Sequence, residues 1–295
     1  QGALPGMRFA KYHGTGNDFL LIEDLEDRLT LTPDLTRAMC DRYRGPGADG
    51  VIRLTRGRTA PFAMELWNAD GGRAETSGNG MRCLARFLID RGHARDEPIE
   101  VETLAGVKRI EVTVEDGEMT GARVDMGPPG LTRGEIPMSG PAGERFLDRP
   151  FPDAGGGYRA AAVSMGNPHL VLIGDTDLAS LDLPRIGPSL EHHPDFPERT
   201  NIEWVRIEDG RLDVRVWERG VGETLACGTG ACATLVAANL MRLAGRRAVV
   251  RFEGGDLDVE WAEDDHVYLG GPAAHVFDGE LSAAWLDGLA EGARR

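Results

Sequence analysis

Two hydrophobic periods alternate along the chain. Arg8-Phe-Ala-Lys-Tyr-His13 is short and mixed, and the turn Gly14-Thr-Gly-Asn-Asp18 separates it from the apolar run Phe19-Leu-Leu-Ile22. Strand, tight loop, strand is the simplest reading. Thr32-Pro33-Asp34 then opens a helix, with Thr as cap, Pro at the first helical position and an acid in the first turn. That helix is expected to reach about Arg44 and stop at Gly45-Pro46-Gly47. Val51–Leu54 and Phe62–Trp67 read as strands. After Gly78-Asn-Gly80 the spacing of Leu84, Phe87 and Leu88 predicts one helical face, with Gly92 as the stop. The period then returns to two through Ile99, Val101, Thr103, Ile110, Val112, Val114, Val124 and Met126, which predicts antiparallel sheet. Gly127-Pro-Pro-Gly130 marks a domain crossing.

The second half repeats the style. Ala160–Val163, Leu170–Ile173, Ile202–Ile207 and Leu212–Trp217 read as strands, and Thr229–Leu243 as a long helix stopped by Gly245. Val249–Phe252, Leu257–Trp261 and Val267–Leu269 are strands again.

The halves superpose at a shift of 150 residues. Gly16-Asn17 meets Gly166-Asn167, Trp67 meets Trp217, and Gly72, Gly78 and Gly80 meet Gly222, Gly228 and Gly230. Only four of the 20 positions from Met64 to Cys83 are identical to Val214–Ala233, but three of the four are glycines, which set backbone geometry. The expectation is an α/β (α+β) chain of two pseudo-symmetric lobes from an internal duplication. Each lobe is a mostly antiparallel sheet wrapped around a central helix, with the active site in the cleft between lobes. The first lobe spans residues 7–127 and the second 128–272.

Such a repeat has a chemical consequence. Two x-Gly-x-Gly loops, each opening a helix, direct free N–H groups and positive dipole ends toward a bound carboxylate. The leading residues, Ser77 and Cys227, are expected to flank one carbon from opposite faces, the arrangement that inversion of a stereocentre needs. A thiol at a helix N-terminus is expected to have a lowered pKa and so to serve as a base.

Composition narrows the partners. Thirty-three Lys and Arg against 48 Asp and Glu give a net charge of −15, which argues against a nucleic-acid or anionic-membrane surface. Four cysteines without a CxxC pair support neither a disulfide framework nor a structural zinc site. No membrane span or leader peptide is expected, so the reading is a soluble cytoplasmic protein. Gln1–Gly6 precede the first methionine, Met7, and are set aside as a segment foreign to the fold.

The ordered motifs resemble the diaminopimelate epimerases, cofactor-independent amino-acid epimerases of lysine and peptidoglycan synthesis. The matching stretches are Lys11-Tyr-His-Gly-Thr-Gly-Asn-Asp-Phe19, Gly47-Ala-Asp49, Asn68-Ala-Asp-Gly71 and Gly78-Asn-Gly-Met-Arg-Cys83. Gly166-Asn-Pro-His169, Thr200-Asn-Ile-Glu203, Glu218-Arg-Gly220 and Ala226-Cys-Gly-Thr-Gly-Ala-Cys232 follow in order. The resemblance implies that the segment 273–295 returns to the first lobe, and it implies a homodimer with no cofactor and no metal. It implies substrate contacts from Asn17, Asn68, Asn167, Asn201 and Arg219, with backbone of Gly78, Asn79, Gly228 and Thr229 on the reacting carboxylate. His169 and Glu218 would support the reacting centre and Cys227 would be one of two catalytic thiols. Gly50 stands where some members carry Gln.

One position departs from the pattern: Ser77 occupies the place of the family's other catalytic thiol. A hydroxyl is far less acidic than a thiol. The expected activity is interconversion of LL- and meso-diaminopimelate, impaired by Ser77. An epimerase or racemase of another amino acid and a non-catalytic amino-acid-binding homologue are the alternatives. Both an introduced substitution and natural divergence would account for Ser77.

The remaining features have plainer readings. Cys40, Cys83 and Cys232 fall within predicted helices and are expected in the core. Ser77 lacks the G-x-S-x-G elbow of a hydrolase nucleophile. The glycine loops match no phosphate-binding pattern. His192-His193 reads as a solvated loop and Trp67 and Trp217 as core. Glu203 is open between a contact to a distal ammonium and a strand-edge charge.

Overall fold

The computed structural model describes residues 6–75 and 77–292, the side chains of 290–292 apart. Gln1–Pro5 of the N-terminal segment and the last three residues of the returning segment lie outside the described residues. Packing divides the chain into two units. One comprises residues 1–14, 18–122 and 272–295, the other 15–17 and 123–271.

In the first unit the expected strand pair is β1 (Met7–Gly14) and β2 (Asn17–Glu23). The turn between them places Thr15 and Gly16 at φ +51° and +85°, and the second angle suits only glycine without strain. Helix α1 (Pro33–Cys40) starts as expected, with Thr32 Oγ1 accepting from Leu35 N at 3.2 Å. It ends four residues before Arg44. Asp41 Oδ1 accepts from the N–H groups of Tyr43 and Arg44 at 2.8 and 2.9 Å, and this Asx turn displaces another helical turn. Then come β3 (Gly50–Arg56), β4 (Phe62–Asn68), the short β5 (Arg73–Ala74), α2 (Gly78–Asp90), β6 (Ile99–Thr103), β7 (Gly106–Glu115) and β8 (Glu118–Asp125). Strands β2 and β3 are parallel, β3 is antiparallel to β4, β4 is antiparallel to β5 and parallel to β6, and β6 is antiparallel to β7.

The second unit runs through the same order: β9 (Arg159–Ser164), β10 (Pro168–Ile173), α3 (Leu183–Glu191), β11 (Asn201–Glu208), β12 (Arg211–Glu218), β13 (Gly222–Thr224), α4 (Gly228–Leu240), β14 (Arg247–Phe252), β15 (Gly255–Trp261) and β16 (Val267–Gly271). Its pairings repeat element for element: β10–β11 parallel, β11–β12 antiparallel, β12–β13 antiparallel, β12–β14 parallel and β14–β15 antiparallel. The chain closes with β17 (Ala274–Leu281), antiparallel to β1 in the first unit, and α5 (Ala283–Gly292). The fold is thus a mixed α+β architecture of two like-ordered halves.

Strand alternation sorts the core into faces. In the second unit Val171, Ile173 and Val205 turn toward α4, while Leu170, Leu172, Ile202 and Trp204 pack with Leu183 and Leu190 of α3. In the first unit Leu20, Ile22, Val51 and Trp67 pack with Leu31, Leu35 and Met39 around α1. Trp67 is buried, whereas Trp217 is half-buried at the edge of its cluster. Helix α4 is apolar all round and nearly every residue of it is buried.

Two sequence expectations need correction. Helix α4 ends at Leu240, short of Leu243, because Arg242 rather than Gly245 adopts the left-handed conformation, at φ +61°. Leu243 N donates to Ala238 O at 2.8 Å, repeating the bond from His93 N to Leu88 O around Gly92 (φ +74°) at the end of α2. Helix α3 escaped the sequence reading because Pro188 lies inside it. Its Gly187 lies against the Trp217 ring, where a Cβ would come within 2.3 Å.

Candidate active site

The two x-Gly-x-Gly segments form matching helix starts. Ser77 (φ −148°, ψ 121°) caps α2, its Oγ accepting from Gly80 N at 3.0 Å. Cys227 (φ −130°, ψ 116°) caps α4, its Sγ accepting from Gly230 N at 3.3 Å. The first helical bonds match too, Met81 N to Ser77 O at 2.8 Å and Ala231 N to Cys227 O at 2.9 Å. The leading N–H groups of a helix have no intrahelical acceptor, so Gly78–Asn79 and Gly228–Thr229 present donors suited to a carboxylate.

Behind Cys227 lies a hydrogen-bonded string. Its Sγ is 3.5 Å from Thr229 Oγ1, which accepts from Asn167 Nδ2 at 3.4 Å. Asn167 Oδ1 lies 2.9 Å from His169 Nε2, and His169 Nδ1 lies 2.7 Å from Glu203 Oε1. His169 and Glu203 are both fully buried. Four residues that sequence reasoning nominated (Asn167, His169, Cys227 and Thr229) are therefore joined, and a fifth that it left open, Glu203, ends the string. Glu203 is not a strand-edge charge. It follows Asn201 by two on β11 and shares the α4-facing side with Val205. A charge at an inward position of a hydrophobic strand was the available signal.

A second cluster surrounds Asn201, itself buried. Its Oδ1 accepts from Arg219 N at 2.8 Å and its Nδ2 donates to Pro168 O at 2.9 Å, which ties the start of β10 to the end of β12. The Arg219 guanidinium donates to Glu198 O at 3.0 Å, and Glu218 accepts from the Thr224 hydroxyl.

In the first unit Asn68 ends β4 exposed, and Asn79 is buried in the first turn of α2. Asn17, which falls in the second unit, opens β2, half-buried. An acid–base clamp joins the loops beside Asn17, Gly50 and Asn68. Asp18 accepts both guanidinium nitrogens of Arg42 at 2.8 and 3.0 Å and lies 2.9 Å from Lys11 Nζ. Asp18 and Asp49 exchange backbone-to-carboxylate bonds at 2.9 and 3.2 Å, and Ala69 N donates to Asp49 O at 3.1 Å. Sequence reasoning quoted Lys11, Asp18, Asp49 and Ala69 within motifs without giving them work, and it passed over Arg42.

The electrostatics correct one expectation. Burial pushes the Cys227 thiol well above the ordinary thiol range, and the carboxylates of Glu218 and Glu203 add to it. The Thr229 hydroxyl and the Gly230 N–H act the other way but are outweighed. The helix start alone does not make this thiol a resting thiolate. Burial also raises Cys40 and Cys83 to about 12, and all four cysteines are buried. His193 pairs with Asp153 at 2.7 Å. Among the described residues no cluster of three or more His, Cys, Asp or Glu side chains is arranged to hold a metal ion, and no helix is long and apolar enough to cross a membrane.

The family model for diaminopimelate epimerase matches residues 9–132 and 161–276. This chain belongs to the diaminopimelate epimerase family. It is 48% identical over 277 residues to the diaminopimelate epimerase of Pelotomaculum thermopropionicum, covering 93% of this chain and 98% of that protein. Against the Moorella thermoacetica enzyme of the same name identity is 44% over 278 residues, covering 93% and 99%. Among solved structures a Bacillus anthracis PhzF-family phenazine biosynthesis protein superposes with a TM-score of 0.70 at 14% identity, covering 95% of this chain and 100% of that one. A hydroxyproline epimerase from Agrobacterium vitis gives 0.63 at 15%, covering 94% and 92%. These two likenesses concern the fold. Family membership establishes an epimerase scaffold, and the matched ranges include the helix starts at 77 and 227.

Proposed function

We propose that this chain binds diaminopimelate and works on its Cα–H bond, in the cytoplasm, as a homodimer without a cofactor. The observation that carries the reading is the pair of equivalent helix caps, Ser77 on Gly80 N and Cys227 on Gly230 N. Inverting a stereocentre takes one group to remove a proton and a second to deliver one from the opposite face. The two caps are proposed to supply them, with N–H groups of Gly78–Asn79 and Gly228–Thr229 holding the carboxylate as it becomes enediolate-like. Each such donor is worth about 2.7–4 kcal/mol in comparable oxyanion sites. Asn17, Asn68, Asn167, Asn201 and Arg219 are proposed to bind the rest of the substrate, and Glu218 and His169 to support the reacting centre.

Ser77 limits the reaction. Its hydroxyl can donate a proton but is a poor base, so the chain is proposed to exchange the Cα hydrogen of one stereoisomer with solvent while epimerising slowly. The Cys227 thiol, held protonated by burial and two carboxylates, reaches its basic form when a substrate ammonium offsets them. The test is Ser77→Cys with LL- and meso-diaminopimelate in deuterated water. Recovery of interconversion is the expected outcome. Retained binding without recovery would instead mark a binding protein.

A further inference from the structure

The geometry points to Glu203 as a positioning residue that holds the proton of His169 on Nδ1 and, through Asn167 and Thr229, sets the Cys227 thiol. This inference rests on the proposed role of the second helix start and deepens it.

From Glu203 Oε1 the contacts run 2.7 Å to His169, 2.9 Å to Asn167, 3.4 Å to Thr229 and 3.5 Å to the thiol, without leaving the second unit. A ring whose Nδ1–H donates to a carboxylate is held in one orientation, with its Nε2 aimed at the Asn167 side-chain amide. The carboxylate also lies directly against the first turn of α4, since a Cβ on Gly230 would come within 2.7 Å of Glu203 Oε1.

The fold has no need of this carboxylate. Register places Ile52 of β3 where β11 has Glu203, because Val51 pairs with Trp67 as Ile202 pairs with Trp217. Ile52 Cδ1 lies against Gly80 as Glu203 lies against Gly230. Phe19, two residues after Asn17, corresponds to His169, two after Asn167. The same site under the same helix is thus filled by hydrocarbon in one unit and by an acid–imidazole pair in the other. Glu203 Oε2 is moreover buried with no hydrogen-bond partner among the described residues, a cost that packing alone does not recover. A buried group that costs stability where an apolar residue fits equally well is the mark of a functional constraint.

The test compares Glu203→Gln and Glu203→Ile in a Ser77→Cys background, reading kcat and KM for epimerisation, together with the low-field Nδ1–H proton resonance of His169 in the unaltered chain and its Glu203 variants. Glu203→Ile is expected to lower kcat at least about 30-fold with KM within about threefold, and to abolish the resonance. Glu203→Gln, which keeps an acceptor but not the charge, is expected to lose about tenfold in kcat and to retain the resonance. Melting temperatures should stay within a few degrees of the parent. If Glu203→Ile does not fold, Glu203→Gln decides. Either variant within threefold of the parent in kcat overturns the inference, as does a His169 resonance that persists in Glu203→Ile. A Ser77→Cys parent that itself fails to epimerise overturns the functional reading instead, and the resonance still reports whether Glu203 holds the ring.

Discussion

The two helix starts share a backbone but not a chemistry. Ser77 and Cys227 cap their helices through the same bond to the third residue on, at 3.0 and 3.3 Å. Beneath the first sits Ile52, and beneath the second Glu203 paired with His169. Duplication preserves what the helix needs, a cap and two glycines that let a strand approach. It leaves the layer below free to differ, so charge has accumulated on one side only. The lesson is that equivalence of fold positions does not extend to equivalence of proton inventory.

The sharpest way to break this comparison is to remove each cap side chain in turn. Cys227→Ala should reduce exchange of the substrate Cα hydrogen by at least about a thousandfold, because it removes the proposed base. Ser77→Ala should leave exchange within about threefold, since a hydroxyl that cannot act as base has little to lose there. Deuterium incorporation followed by mass spectrometry reads both, and equal losses would show that the starts are chemically alike.

Swapping the lower layers probes stability. Ile52→Glu puts an unpaired carboxylate under α2 and should cost about 3–5 kcal/mol in denaturant unfolding. The double change Glu203→Ile with His169→Phe copies the hydrocarbon pair of the first unit, and should be neutral or stabilising for the same reason. A destabilised double variant would mean that the acid–imidazole pair is structural after all.

How far the sequence revealed this contrast depends on what kind of signal each feature carries. Period-two runs and the x-Gly-x-Gly starts are local, and they located β1 to β4, β6 to β8 and the cores of α2 and α4. The shift of 150 residues exposed the equivalence of Gly78 with Gly228 because glycine marks backbone geometry. Boundaries set by side chains were hidden: Asp41 ends α1 through an Asx turn, and Arg242 does glycine's work after α4. Glu203 was ambiguous because a lone charge in a strand reads as an edge until register shows which face it occupies. Arg82, fully buried in α2 with its Nε donating to Pro272 O at 3.2 Å, was quoted within a motif but given no role, since the partner lies 190 residues away.

A third difference concerns acid. Asp18 in the first unit is a clamp, while its counterpart in the second, Pro168, carries no charge. Burial pushes the Asp18 carboxyl up, but hydrogen bonds from Arg42 and Lys11 outweigh it and hold it at about 2, against an ordinary 3.8. A depressed folded pKa contributes stability that is fully present above the unfolded value and is lost as pH falls through the folded one. Asp18→Asn should therefore cost about 2 kcal/mol near neutrality, with the cost shrinking between about pH 4 and pH 2. Unfolding measured across that range checks it, and a cost independent of pH would assign the effect to packing.

The smallest effect lies at the outer helices, where the two units again diverge in side chain but not in placement. Thr32 caps α1 with a hydroxyl that accepts from Leu35 N at 3.2 Å, whereas Asp182 before α3 makes no such bond. Asp182 instead lies 3.6 Å from Arg185, both side chains largely exposed. Removing a cap hydroxyl leaves an N–H without its acceptor and should cost about 1 kcal/mol, so Thr32→Ala lowers stability by about that much. Asp182→Ala loses only a screened ion pair and should change it by a few tenths of a kcal/mol. Equal costs in thermal unfolding would mean that Asp182 swings into the cap position in solution. The outer helices would then be more alike than the inner pair, whose difference lies in buried charge rather than in capping.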